Sequence, residues 1–210
     1  MGICNWFFRK TLLIIFWIPK PIQRFLGRLL GWLWFDVFRI RRSIILGNLQ
    51  LAFPDWTMQK KISVGRQSCE GLGHTLVEYS LFPRLTKAWI DKNIELRGIE
   101  HVDASLAQNK GVCFLSLHLG NGDLAISVVA KLGYPVVLIS KYFKSKWLNQ
   151  IWFGYRESAG TRFLPPEGSS LAILRAIRQN QIVIFVLDQF MGPPFGVKTR
   201  FFGAETGTAM

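Results

Sequence analysis

The segment His118-Leu119-Gly120-Asn121-Gly122-Asp123 holds the residue types best suited to moving a proton. Histidine titrates close to neutrality, so it can take a proton from a hydroxyl and return it in the same cycle. An aspartate five residues on can accept a hydrogen bond from one ring nitrogen, fixing the tautomer and leaving the other nitrogen to act as base. Two glycines let the chain turn sharply enough for the two side chains to face each other across a loop. The pair is a base with its orienter and lacks a protein nucleophile. That suits direct transfer of an acyl group from a thioester to an alcohol, the substrate itself supplying the attacking oxygen. Spacing alone also fits a plain alternative, a strand-end histidine beside an acid that complements a helix start. The surrounding elements decide between them.

Val112 to Leu117, immediately before His118, is an apolar run of strand length and reads as a buried strand. Leu124 to Leu132 reads as a helix stopped by Gly133, which puts Asp123 in its first turn. Pro135 to Ser140 predicts a second strand, Lys146 to Ser158 a helix, and Thr161 to Leu164 a short third strand. Ser169 or Ser170 is placed to cap a helix running to Ile177, and Ile182 to Leu187 is a further buried strand. Strands alternating with helices predict an α/β fold, an open, mixed but mostly parallel sheet flanked by helices, with ligands bound beyond the carboxyl ends of the strands. His118 stands at such an end. No internal repeat or low-complexity tract interrupts the pattern.

The 210 residues carry a net charge of +13 on a chain that is 50% hydrophobic and 14% aromatic. Disorder is excluded, and a basic, greasy chain fits a membrane surface better than a nucleic acid, for which no motif is present. Eleven lysines and arginines against Asp36 and Asp55 give residues 1 to 66 a surplus of nine. Arg9 and Lys10 precede an apolar run from Leu12 to Ile18, but Pro19-Lys20 stands where a signal peptidase site would be, so no cleavage is expected. The uncharged run between Lys10 and Lys20 is about half of the roughly 20 residues a spanning helix needs, so partial insertion is expected rather than a clean span. Pro21 opens a helical pattern through Ile22, Phe25, Leu26, Leu29, Leu30, Leu33 and Val37, with Arg24 and Arg28 off the stripe. Residues 1–42 are therefore expected to form a membrane-associating helical segment ahead of an α/β domain over 43–210, with Arg39 to Arg42 meeting anionic headgroups. Phe53 to Thr57 reads as a turn, and the following stretch to about Leu85 as a helix weakened by Gly65, Gly71 and Gly73. Cys4, Cys69 and Cys113 are too scattered for a disulfide framework or a cysteine metal site, so no metal is expected and a reducing, cytoplasmic setting is.

An H-x-x-x-x-D segment after a buried strand in a basic chain resembles the glycerolipid acyltransferase superfamily. The wider pattern resembles its lipid A biosynthesis branch, also called the lauroyl/myristoyl acyltransferases. The pieces that carry the likeness run in family order: Arg41-Arg42 with Asn48-Leu49 and Ala52-Phe53-Pro54, then Glu78, Glu95 to Gly98, Gly111 to Asp123, Arg156 with Gly160, Leu187-Asp188-Gln189, and Phe201-Phe202-Gly203 with Thr206. The resemblance implies acyl transfer from acyl carrier protein, or from coenzyme A, to a hydroxyl of a lipid acceptor at the cytoplasmic face of a bacterial inner membrane. The thioester is a co-substrate, and no cofactor is implied. By the same likeness His118 is the general base and Asp123 its orienting acid. Arg156 would meet a substrate phosphate or the thioester oxyanion, Asp188 would shape the acceptor site, and Gly120 and Asn121 would lie at the substrate. Pro166-Glu167-Gly168-Ser169 is similar to a phosphate-binding motif of related enzymes, but it precedes a helix instead of following a late strand, so Glu167 is expected away from substrate. The chain departs from the branch in having Asp where Glu is frequent. It also stops within a family element, which implies a domain incomplete at its C-terminus. Two other readings stay open, an acyltransferase acting on a lysophospholipid or glycolipid and a non-catalytic basic protein that adheres to membranes.

Overall fold

The computed structural model describes residues 14–194 and 196–209. Among these, residues 81–187 form one compact unit, and residues 14–80 with 188–209 form another. Position 42, where the sequence suggests a boundary, lies inside the second unit.

The helical unit begins with α1, Lys20–Trp32, which has Pro21 in its first turn, where a missing N–H leaves no bond unmade. It runs on into a π-helical turn, Leu33–Val37. Helix α2, Arg42–Ala52, and α3, Met58–Glu78, follow, the latter capped by Thr57, which accepts from the Lys60 N–H at 3.3 Å. The apolar stripe predicted for α1 is present, but it is not the buried face. Gly27 and Gly31 face inward with Phe35 beyond them, and they meet Gly65, Cys69 and Gly73 of α3. A Cβ on Gly73 would collide with the Gly27 carbonyl, and one on Gly31 with the backbone of Glu70. Of the glycines expected to weaken this stretch, Gly73 lets two backbones touch, Gly65 makes room for the Phe35 ring, and Gly71 faces open space. Phe25, Trp32 and Phe38 consequently stay exposed. Asp36 joins the elements, accepting from Arg66 Nε at 2.6 Å and Nη2 at 3.1 Å, with Arg42 at 3.7 Å. No helix of the described residues is long and apolar enough to cross a membrane. The run from Arg9 toward Ile18 begins outside the described residues.

The unit over residues 81–187, the sheet unit, contains α4 (Lys87–Asn93), α5 (Ile99–Leu106), β1 (Val112–Ser116), α6 (Gly122–Lys131) and β2 (Val136–Ile139). It continues with α7 (Lys146–Ser158), β3 (Arg162–Leu164), α8 (Ser170–Arg178) and β4 (Ile182–Val186). Its four strands are all parallel in the order β1-β4-β2-β3. On one face Val136, Leu138, Ile182 and Ile184 pack with Ala130 of α6, Phe153 of α7 and Phe163; on the other, Val137 and Val183 pack with Ile173, Ala176 and Ile177 of α8. The expectation of a buried first strand is corrected: β1 is an edge strand, and its Leu115 is 71% exposed. Ser169 holds the N-cap position of α8, yet its side chain makes no capping bond.

The residues after Asp188, to which the sequence pattern assigns no element, include the hairpin β5 (Gly196–Phe201) and β6 (Ala204–Ala209) in the helical unit. Its turn is Phe202-Gly203, both at positive φ, 51° and 76°. This is the primed geometry that suits the twist of a tight hairpin.

Candidate active site

Strand β1 ends at Ser116, opposite Val186 of β4, and the Leu187 N–H donates to the Ser116 carbonyl at 3.4 Å. His118 follows two residues past that strand end and is exposed. The Leu119 N–H closes a tight turn onto the Leu117 carbonyl at 2.9 Å, and Gly120 takes φ 63°, a left-handed conformation that favours glycine. Asn121 then caps α6, its Oδ1 accepting from the Leu124 N–H at 3.0 Å. The sequence placed Gly120 and Asn121 at the substrate. Their visible work is to shape the loop, one by its backbone and one by its cap.

Asp123 lies in the first turn of α6, as expected, and its carboxylate is gripped from behind. Arg156 Nη1 donates to Asp123 Oδ1 at 2.8 Å, while Arg156 Nε donates to the Trp152 carbonyl at 3.1 Å. The guanidinium lies 4.7 Å from the Phe153 ring, 4.9 Å from Phe163 and 5.6 Å from Trp152. Arg156 is 3% exposed. A guanidinium stays charged in proteins, so burying it needs compensation, and here a carboxylate, a backbone carbonyl and aromatic faces supply it. The guanidinium is thus held inside an aromatic cage. Its link to the loop runs through Asp123.

Asp188 is exposed, two residues past β4, and Glu167 is exposed in the turn ahead of α8. Glu78 is the last residue of α3. Among the described residues, no group of three His, Cys, Asp or Glu side chains is arranged to hold a metal ion.

Beside the His118 loop opens a cavity of about 310 Å³. Leu117 and Leu119, the neighbours of His118 in sequence, line it, as do Gly122, Ala125, Ile126 and Val129 along one face of α6. Val136, Ile182 and Ile184 form its floor on the sheet, and Arg97 and Ser116 are the polar side chains in its wall. The sequence reading missed this cavity, although the spacing of 122, 125, 126 and 129 is the signature of a helix face built from small and apolar residues.

A family model described as bacterial lipid A biosynthesis acyltransferase matches residues 2–210. A Haemophilus influenzae protein named lipid A biosynthesis acyltransferase is 22% identical, over 94% of this chain and 62% of its own length. The Escherichia coli lipid A biosynthesis lauroyltransferase is 24% identical over 98% of this chain and 68% of its own. A phosphatidylinositol mannoside acyltransferase of Mycobacterium tuberculosis is 26% identical over 80% of the chain and 53% of its own. The chain thus spans roughly half to two thirds of the length of these relatives. A histidine loop on a parallel sheet, an apolar cavity at its side and a match that runs along the whole sequence agree: the chain belongs to the bacterial lipid A biosynthesis acyltransferase family.

Proposed function

We propose that this chain carries the acyl-transfer site of an enzyme that moves a fatty acyl group from a thioester, on acyl carrier protein or coenzyme A, to a hydroxyl of a membrane lipid. The observation that carries the reading is the apolar cavity lined by the residues on either side of His118. A hydrocarbon chain in that cavity would bring its thioester carbonyl to the strand end where His118 stands. The imidazole takes the proton of the acceptor hydroxyl, and the oxygen attacks the thioester carbon. The tetrahedral intermediate then collapses with cleavage of the C–S bond, and the thiolate leaves with the proton returned by the imidazolium. Asp123 accepts from the second ring nitrogen and stabilises the imidazolium. A carboxylate has two acceptor oxygens, and Arg156 holds one of them. Arg156 is in this reading a positioning residue, because it acts through Asp123. Asp188 belongs to the acceptor side, and Gly120 and Asn121 set the loop around the reacting atoms.

The acceptor is a lipid, as the names of the relatives indicate for those proteins. The exposed Phe25 and Trp32 of α1, with Arg24 and Arg28 on the same helix, support attachment to the cytoplasmic face of the inner membrane. His118→Ala tests the mechanism, assayed with an acyl thioester and a detergent-dispersed lipid acceptor. The expected outcome is a fall in transfer of at least about a hundredfold, the contribution typical of a general base, with an unchanged circular dichroism spectrum. Transfer at the parent rate would overturn the mechanism.

A further inference from the structure

Four aromatic rings and a cation form an unbroken stack in the helical unit. Lys60 Nζ sits 4.1 Å above the Trp56 ring, and Trp56 lies flat on Phe53 at 3.9 Å. Phe53 meets Phe202 at 5.0 Å, and Phe202 meets Phe201 edge-on at 4.6 Å. The two ends of the stack differ. Trp56 and Phe53 are partly buried in the turn between α2 and α3, whereas Phe201 and Phe202, at the tip of the β5–β6 hairpin, are 68% and 55% exposed. The base is held firmly, because buried Lys61 donates to Gln50 Oε1 at 2.6 Å and to the Pro54 carbonyl at 3.3 Å. The tip is thus two phenylalanines presented to solvent on a fixed platform.

A turn of this geometry favours Asn-Gly or Asp-Gly, and its first position here holds a phenylalanine. The Phe202 ring packs on Phe53 and still leaves more than half of its surface, with most of Phe201, open to solvent. Of the charged side chains nearby, Lys60, Lys198 and Arg200 are exposed cations, Glu205 stands in register with Arg200, and Asp55 adjoins Trp56. The unit as a whole carries eleven lysines and arginines against six acidic residues over its described positions. Rings at headgroup depth with cations toward lipid phosphates are the combination found where proteins meet a bilayer surface.

We propose that the Phe201-Phe202 tip is a membrane anchor distinct from the outward face of α1, and that its partner is an anionic lipid bilayer. The tip dips its two rings into the interface while Lys60 and Lys198 stay at headgroup level. This inference rests on the membrane reading given above and does not depend on the acyl-transfer chemistry.

The test places a single environment-sensitive label at the tip of the full chain, through Phe201→Cys with Cys4→Ser and Cys113→Ser; Cys69 is buried and stays. Vesicles of phosphatidylethanolamine and phosphatidylglycerol should shift the label's emission to the blue, and lipids brominated near the headgroup should quench it. Phe201→Ser with Phe202→Ser should weaken co-sedimentation with the same vesicles by about tenfold or more, the loss expected from two rings withdrawn from an apolar phase. The anchor is ruled out if the protein sediments with vesicles while the label's emission stays unshifted, or if the double variant, folded by circular dichroism, binds as tightly as the parent. A chain that does not sediment with vesicles at all would remove the membrane reading together with the anchor, and acyl transfer to a dispersed acceptor would still stand or fall separately.

Discussion

The cores of the two units use large apolar side chains to different extents. The sheet unit encloses them: Val136, Val137, Leu138, Ile182, Val183 and Ile184 are buried between α6 and α7 on one face and α8 on the other. The helical unit encloses glycines between α1 and α3, packing Gly27 and Gly31 against Gly73 and Glu70 and the Phe35 ring against Gly65, and leaves Phe25, Trp32 and Phe38 outside. A close glycine seam gains stability from backbone contact, so it frees the bulky residues for another surface. The apolar excess of the composition therefore has two destinations, a core that supports a reactive loop and an exterior that suits an interface. The charged residues divide in parallel. Arg156 is fully enclosed with Asp123, whereas Arg66, with the same type of partner, is 41% exposed.

Breaking the enclosed pair should have the largest effect. Arg156→Met leaves Asp123 without its buried partner, which typically costs about 3–5 kcal/mol. Thermal melts should show this as a large drop in Tm, and acyl transfer should fall as well. A double variant, Arg156→Met with Asp123→Leu, should recover most of the stability and none of the transfer. That split separates a positioning role from a merely structural one. If the double variant transfers acyl groups normally, the pair has no part in the chemistry. Next in size is the glycine seam. Gly31→Leu forces a side chain into the backbone at Glu70 and should cost about 1–3 kcal/mol, the range for overpacking, or more if the helices separate. By contrast Phe25→Ser, on the exposed face of the same helix, should change stability by no more than about 0.5 kcal/mol. Equal losses at the two positions would show that the outward face is core after all.

Much of the sheet unit was legible because its signals are local. The β-branched runs at 136–139 and 182–186 specify strands by themselves. Which strand lies at the edge is not local information. Val112 to Ser116 has the composition of a central strand, and only the order β1-β4-β2-β3 exposes it. The enclosure of Arg156 is not local information either, since its partner is 33 residues away and its cage draws on both α7 and β3. In α1 the apolar stripe drew attention from Gly27 and Gly31, whose regular spacing was the better guide to the buried face. The hairpin escaped because Lys198, Thr199 and Arg200 carry no apolar alternation and Phe202 is an unusual turn residue. Within the site, His118 and Asp123 were placed by spacing on the elements where they stand, whereas the adjoining cavity required the packing of α6 over β2 and β4.

The smallest expected effect tests the open side of the charged comparison. The hydrogen bond from Arg66 is the main cause that holds the Asp36 carboxyl below its ordinary range; nearby Arg42 and Arg39 act in the same direction, and desolvation opposes them. A carboxyl with a lower pKa folded than unfolded binds fewer protons in the native state. Its contribution is therefore complete above the ordinary carboxylate pKa and is lost as pH falls through the lowered one. Because Arg66 is substantially solvated, the contribution should be modest, about 1 kcal/mol or less. Comparing Tm for the parent and Asp36→Asn across pH should show a gap at neutral pH that narrows below about pH 4. Adding salt should shrink the neutral-pH gap, since a partly exposed pair is screened, but should leave the deficit of Arg156→Met nearly intact. A salt-independent gap at Asp36 would mean that this pair is enclosed too, and the contrast between the two units would then lie in their apolar packing alone.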